Sequence, residues 1–169
     1  MSKQAKTDPL PHIVSLSAAL RAPGQPDTTF KALDAAMRAV IGHKLLTVLL
    51  YHADLQQTER FYASDLEAYP IGGRKEVRPT KWTEQLLIGQ RCYIGYNAAD
   101  IEQYFLDHAL IHSLGCDAIL NVPVVYDGVT LGTVNLLHEE GFYDEGDTEI
   151  AMTLANIAAP AYLQVAGRK

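Results

Sequence analysis

Cysteine is scarce in this sequence: two residues in 169, Cys92 and Cys116. Two thiols cannot build a disulfide framework, so an apolar core has to hold the fold, and a reducing compartment is the expected setting. Long apolar runs are missing as well. The longest, such as residues 45–51, fall far short of the roughly 20 residues that span a bilayer, and the polar, proline-interrupted stretch 1–11 has no apolar run of a signal peptide. A cytoplasmic protein is therefore expected. Clusters of Lys and Arg are absent, and the formal net charge of -6 opposes a polyanion, which argues against nucleic-acid binding. Glycine and proline are scattered rather than bunched, so no linker divides the chain; residues 1–11 read as a flexible tail and 12–169 as one domain.

What is present is an ordinary globular composition, 48% hydrophobic and 20% charged. Ile13, Leu16 and Leu20 recur at helical spacing up to the stop Ala22-Pro23-Gly24. Phe30, Leu33, Met37, Val40 and Ile41 form a second helical stripe, entered through the oxygens of Asp27, Thr28 and Thr29 and closed by Gly42. Residues 44–52 are too short and too evenly apolar for a surface helix and read as a buried strand. Residues 58–64 read as another, with Arg60, Tyr62 and Ser64 on one side and Phe61 and Ala63 on the other. A loop at 70–74 follows, then a short helix opened by Pro79-Thr80 and carrying Trp82, Leu86 and Leu87, then a strand at 91–96. Asp100 with Gln103 resembles a capping box for a helix over 101–114 that Gly115 stops. Ile150, Leu154, Ile157, Ala161 and Val165 mark a terminal helix that Pro160 is expected to kink.

Residues 117–125 and 129–138 are apolar strands joined across Asp127-Gly128, the strongest hairpin signal in the chain. Neighbouring strands joined by a hairpin rather than a crossover helix favour an antiparallel sheet. Two registers are open: a two-residue turn pairing Val124 with Leu131, or a type I turn with Gly128 left-handed pairing Val125 with Val129. The second gathers Leu120, Val122, Val124, Gly132, Val134 and Leu136 on one wholly apolar face, and is preferred. Ile119, Asn121, Pro123, Leu131, Thr133 and Asn135 then share the other face. Buried amides there either satisfy each other or point at a ligand.

Val122-Pro123, Asp127-Gly128, Gly132 and Val134-Asn135, with the passage 87–94 and the order of elements, resemble the GAF domain family over nearly the whole chain from about Ile13. The resemblance implies an α+β fold: a central antiparallel sheet of about six strands with helices on both faces. It also implies a small-molecule pocket between the sheet and its covering helices, and a homodimer through the first and last helices. Most relatives are sensory modules attached to kinases, cyclases or transcription activators. No effector fits in this chain, so signalling to a separate partner is expected.

Trp82, Tyr51, Tyr62 and Tyr93 are candidate stacking walls, because the resemblance sets their elements around the cavity. Asn121, Asn135 and Thr133 are candidate polar contacts, and Ser64 with Arg60 beside it is a weaker anion site. No ligand or cofactor is named by these residues. His108 and His112, with Cys116 and Asp117 following, have a spacing that metal ligands use, but Gly115 ends the helix before Cys116 and no Glu follows the first His. No metal is expected. One enzymatic branch with this fold reduces free methionine sulfoxide through cysteines. Cys92 and Cys116 lack that branch's spacing, and Ile119 and Asn135 replace its acidic residues, so ordinary thiols are the preferred reading. A sensory binder is thus expected ahead of a redox enzyme or a ligand-free dimerisation scaffold.

Overall fold

The computed structural model describes residues 7–167. Phe30, Leu33 and Met37 are the buried side of α2 (Asp27–Val40), and α1 (Leu10–Ala19) joins the same core through Leu16. Leu10 and Pro11, expected in the tail, form the first turn of α1, where a proline costs no helical hydrogen bond. The rest of the expected tail, residues 1–6, lies outside the described residues, as do residues 168–169. The entry to α2 is not capped by Asp27, Thr28 or Thr29. Gln25 Oε1 instead accepts the Thr29 amide at 3.3 Å and the Thr29 hydroxyl at 2.6 Å.

Six antiparallel strands form one sheet in the order β3-β2-β1-β6-β5-β4: β1 (Leu45–His52), β2 (Gln57–Ala63), β3 (Arg74–Glu76), β4 (Tyr93–Gly95), β5 (Ala118–Tyr126) and β6 (Val129–His138). The six-stranded α+β architecture is the one that the resemblance implies. The expected strand 91–96 pairs only over β4, and the expected loop at 70–74 ends in β3, three exposed residues without apolar alternation.

The hairpin uses neither expected solution alone. Asp127 (φ 53°) and Gly128 (φ 73°) make a two-residue turn of the twist that hairpins favour, pairing Tyr126 with Val129 and Val125 with Thr130. Leu131 is then bulged out, and the ladder resumes with Val124 opposite Gly132 and Asn121 opposite Asn135. The bulge restores the parity that was assigned to the turn, so the two faces carry the expected residues except Leu131, which packs against the large apolar core instead of joining the polar face. A second bulge interrupts β1 and β2: Val48 pairs with Tyr62 and Leu49 with Arg60, leaving Phe61 extra. It reverses the expected alternation in β2. Phe61 and Tyr62 both pack on the large core, while Ala63 packs in a cluster on the opposite face, where Arg60 also lies over Tyr69.

The wholly apolar face packs against α1, α2, α6 (Thr148–Ile157) and α7 (Ala159–Ala166) in one cluster. The terminal helix breaks at Ala158, with Pro160 in the first turn of α7, as expected. The other face is covered by α3 (Lys81–Thr83), which widens into a π turn over Glu84–Ile88, and by α4 (Ala98–Tyr104) and α5 (His108–Ser113). The π turn leaves the Leu87 carbonyl free to accept the Thr130 hydroxyl at 2.7 Å. The expected helix 101–114 is interrupted at Phe105, Leu106 and Asp107 because Asp107 and Phe105 are engaged by other elements. Its cap is Asn97, which accepts the Asp100 amide at 3.0 Å.

Gly132 lies where β6 passes under α7, and the Tyr162 hydroxyl donates to the neighbouring Thr133 carbonyl at 2.8 Å. A Cβ at Gly132 would run into the Leu49 carbonyl oxygen and the Tyr162 ring. Backbone cannot rotate away as a side chain does. Gly132→Ala is therefore expected to destabilise the fold by about 3 kcal/mol in denaturant unfolding, at the upper end of overpacking costs. Ala at Gly128, in open space, is expected to cost only the left-handed strain of about 1–2 kcal/mol.

Candidate functional site

At the centre of the polar sheet face the cross-strand pair Asn121–Asn135 starts a chain of hydrogen bonds. Trp82 Nε1 donates to Asn121 Oδ1 at 3.0 Å, and Asn121 Nδ2 donates to Asn135 Oδ1 at 2.6 Å. Asn135 Nδ2 then donates to the hydroxyls of Thr47 and Thr133, each at 3.2 Å. Asn121 is 1% exposed and Asn135 5%. Of the two expectations for these amides, mutual satisfaction holds. Each link polarises the next in a low-dielectric interior, which fixes the orientation of every group in the row. The Thr47 and Thr133 oxygens are used here as acceptors, so both hydroxyl protons remain to be donated.

Aromatic side chains close over this row. The Trp82 ring meets Phe105 edge to face at 5.5 Å, and Tyr93 meets Tyr104 the same way at 5.7 Å. Tyr51 and Trp82 also pack on Val77, Leu86 and Leu87. On the β2 side the segment before β3 arches over the sheet. Tyr69 donates to Asp107 at 2.7 Å, Lys75 pairs with the same carboxylate at 3.2 Å, and the Arg60 guanidinium lies 4.7 Å from the Tyr69 ring centroid. Burial alone would raise the Asp107 carboxyl; the Tyr69 hydroxyl and the Lys75 ammonium outweigh it and hold the carboxyl below its ordinary range. Burial and the Asp107 charge together push the Tyr69 phenol far up.

Between these two halves of the cover lies Leu49. Among the aliphatic residues of β1 it alone is partly exposed and belongs to none of the three apolar clusters. A central position of a central strand is ordinarily the most sealed in a sheet. Leu49 is thus the aliphatic position of this strand that the covering layer leaves partly open, opposite Thr133 on β6 and Arg60 on β2.

Trp82, Asn121, Thr133, Asn135, Tyr93 and Tyr51 come together on this face. Tyr62 does not: the β2 bulge turns it to the α2 side, where its hydroxyl donates to Asp34 at 2.6 Å and Asp34 meets the buried His43 at 2.9 Å. Ser64 lies at the strand end, and its hydroxyl accepts the Leu46 amide at 2.9 Å. Thr47, Leu49, Tyr69 and Phe105 were not singled out from the sequence.

His108, His112, Cys116 and Asp117 line a separate half-open cleft of about 240 Å³ beside α4 and α5. Asp117 accepts from or pairs with His112 Nδ1 at 2.6 Å, and this contact raises the imidazole pKa. Among the described residues no group of three His, Cys, Asp or Glu is placed to hold a metal. The thiols belong to different apolar clusters. Cys92 packs against the large core, where burial and then Glu145 push it up to about 12; Cys116 is in the cluster with Ile111 and Ile119, raised mainly by burial. Neither is a thiolate at neutral pH, the form that thiol chemistry requires.

A family model described as GAF domain matches residues 27–161. No curated protein matches. Among solved structures, the GAF domain of a phosphoenolpyruvate-protein phosphotransferase from Acinetobacter aligns with a TM-score of 0.70 at 12% identity, covering 95% of each chain. The phycocyanobilin-bound GAF domain of a cyanobacterial phytochrome gives 0.69 at 15% identity, covering 98% of this chain and 100% of that one. A domain of a putative two-component sensor histidine kinase from Sinorhizobium meliloti gives 0.59 at 17%, covering 85% and 92%. At these identities the likeness is one of fold. No helix among the described residues is long and apolar enough to cross a membrane.

Two outcomes follow from the geometry. In a double-mutant cycle, Asn121→Ala and Asn135→Ala are each expected to cost about 2–3 kcal/mol, because each leaves buried partners unpaired, with a coupling energy of about 1–2 kcal/mol; independent costs would contradict the shared row. Asp107 has a folded pKa below its ordinary 3.8, so its contribution is full above that pH and is lost as pH falls through the lower folded value. The stability gap between the wild type and Asp107→Asn is therefore expected to be about 2 kcal/mol at pH 7 and to narrow below about pH 4.

Proposed function

The chain belongs to the GAF domain family, and on that premise we propose that it is a small-molecule-binding sensory module. In this reading it works in the cytoplasm as a homodimer and passes its occupancy to a separate signalling partner. The observation that carries the reading is the partly open position of Leu49, bordered by a rigid row of amides and hydroxyls and by aromatic walls. An apolar floor with a few oriented polar groups is the usual make-up of a small-molecule site. The homodimer is supported by α1 and α7, which leave Leu10, Val14 and Leu163 exposed at 61%, 59% and 40%.

Binding is favoured over redox catalysis by the two thiols, which are raised by burial and packed in separate clusters. It is favoured over a pure scaffold because Leu49, in the middle of a central strand, is left partly exposed beneath the cover.

Native mass spectrometry of the purified protein, followed by denaturation and identification of what is released, tests the reading. The expected result is a dimer carrying one small molecule per protomer. Thr133→Val is expected to weaken retention of that molecule roughly five- to tenfold, the loss of one hydrogen bond, without changing the dimer. A ligand-free dimer whose Trp82 fluorescence no metabolite alters would support the scaffold instead.

A further inference from the structure

We infer that the molecule held above Leu49 is a small organic acid: its carboxylate meets the Arg60 guanidinium, and an oxygen at its far end accepts from the hydroxyls of Thr133 and Thr47. This rests on the binding-module reading and specifies its ligand class.

Arg60 is 8% exposed, and a cation so buried requires compensation. Here the compensation is partial: the Tyr69 ring 4.7 Å away and the charge of Asp107 favour the cation, but among the described residues no carboxylate is paired with it directly. Its side chain makes one hydrogen bond, from Nη1 to the Pro70 carbonyl at 3.1 Å, and its Nε is buried without a partner. The nearby carboxylate, Asp107, has its oxygens engaged by Tyr69 and Lys75. The Pro70 contact and the Tyr69 ring fix the plane of the guanidinium. Because that contact uses Nη1, the edge formed by Nε and Nη2 is left over. Two parallel N–H groups on such an edge match the two oxygens of a carboxylate, a fit that a tetrahedral anion shares less well.

The sheet register supplies the rest of the ligand's outline. Arg60 is directly opposite Leu49, and Leu49 is directly opposite Thr133, so the cation, the apolar floor and the hydroxyl form one line across three strands. Strands are spaced about 4.8 Å apart, which puts the Cα atoms of Arg60 and Thr133 roughly 10 Å from each other. That span suits a molecule of one ring or a short chain between its terminal groups. The middle must be apolar because Leu49 offers no polar group. An acceptor at the far end suits the two threonine hydroxyls, which accept from Asn135 and have their protons left to donate.

The sequence contains a single tryptophan, Trp82, whose indole is hydrogen-bonded into the row beside Leu49. Its fluorescence is therefore a direct reporter. We would titrate the wild type with 4-hydroxybenzoate and with the uncharged 4-hydroxybenzamide, which has the same ring and distal oxygen. The acid is expected to give a saturable change with a Kd at least tenfold below that of the amide. Arg60→Gln is expected to abolish this preference, raising the Kd of the acid to that of the amide. Equal affinity for acid and amide would overturn the assignment of an acid while leaving the binding site standing. Displacement of the acid by inorganic phosphate at equal concentration would reduce Arg60 to a general anion contact and overturn the carboxylate. No response of Trp82 to either compound would overturn the inference together with the site. If Arg60→Gln does not fold, the acid-to-amide ratio of the wild type decides alone.

Discussion

Asn121 meets Asn135 across the central strand pair because Leu131 is bulged out of β6, and the two faces of the sheet depend on that one extra residue. Without the bulge, the two-residue turn would pair each position of β5 with the residue next to its present partner and rotate the amide of one strand into the opposite layer. One asparagine would then face Leu33, Leu154 and Tyr162, with a desolvation cost of several kcal/mol that no partner offsets. A local irregularity thus decides which side of the molecule is a sealed core and which is a polar floor.

The two sides are built differently as a result. The large cluster under α1, α2, α6 and α7 is almost wholly apolar and closed around fully buried Phe30, Leu33, Met37 and Tyr162. The cover formed by α3, α4 and α5 is divided into two smaller clusters, with the polar row between them. Its halves are tied to the sheet by a few directional contacts: Trp82 to Asn121, Tyr69 and Lys75 to Asp107, Thr130 to Leu87. Segments with less buried apolar area open at lower free energy, so the ligand-facing side is the one suited to admit a molecule without unfolding the rest.

Much of this was legible in the sequence wherever a residue's neighbours along the chain set its environment. The alternation in 117–138 gave the two faces, the stripe Phe30-Leu33-Met37 gave α2, and Pro160 gave the break between α6 and α7. Asn121, Thr133 and Asn135 stand out for the same reason, as polar interruptions of patterned strands, whereas Trp82 enters through the family resemblance. What escaped was set by distant contacts. The interruption of the expected helix 101–114 depends on Tyr69 and Lys75 holding Asp107, and nothing within residues 101–114 announces it. The bulge at Phe61 falls on ordinary strand formers with no glycine or proline to mark it, whereas the bulge at Leu131 sits beside Gly132. The first of these carried Tyr62 away from the site and detached Arg60 from Ser64. Thr47 was lost inside an apolar strand, and β3 has no apolar residue to signal it.

Thr133 has its side chain in the polar row and its carbonyl bonded to the Tyr162 hydroxyl from the far side of the sheet. Gly132, next to it, has no side chain to keep α7 at a distance. Between the polar row and the last helix there is therefore a single peptide. Any displacement of that peptide is felt on both sides at once, and the last helix, already hinged at Ala158, can take up the motion as a tilt instead of resisting it as a continuous rod.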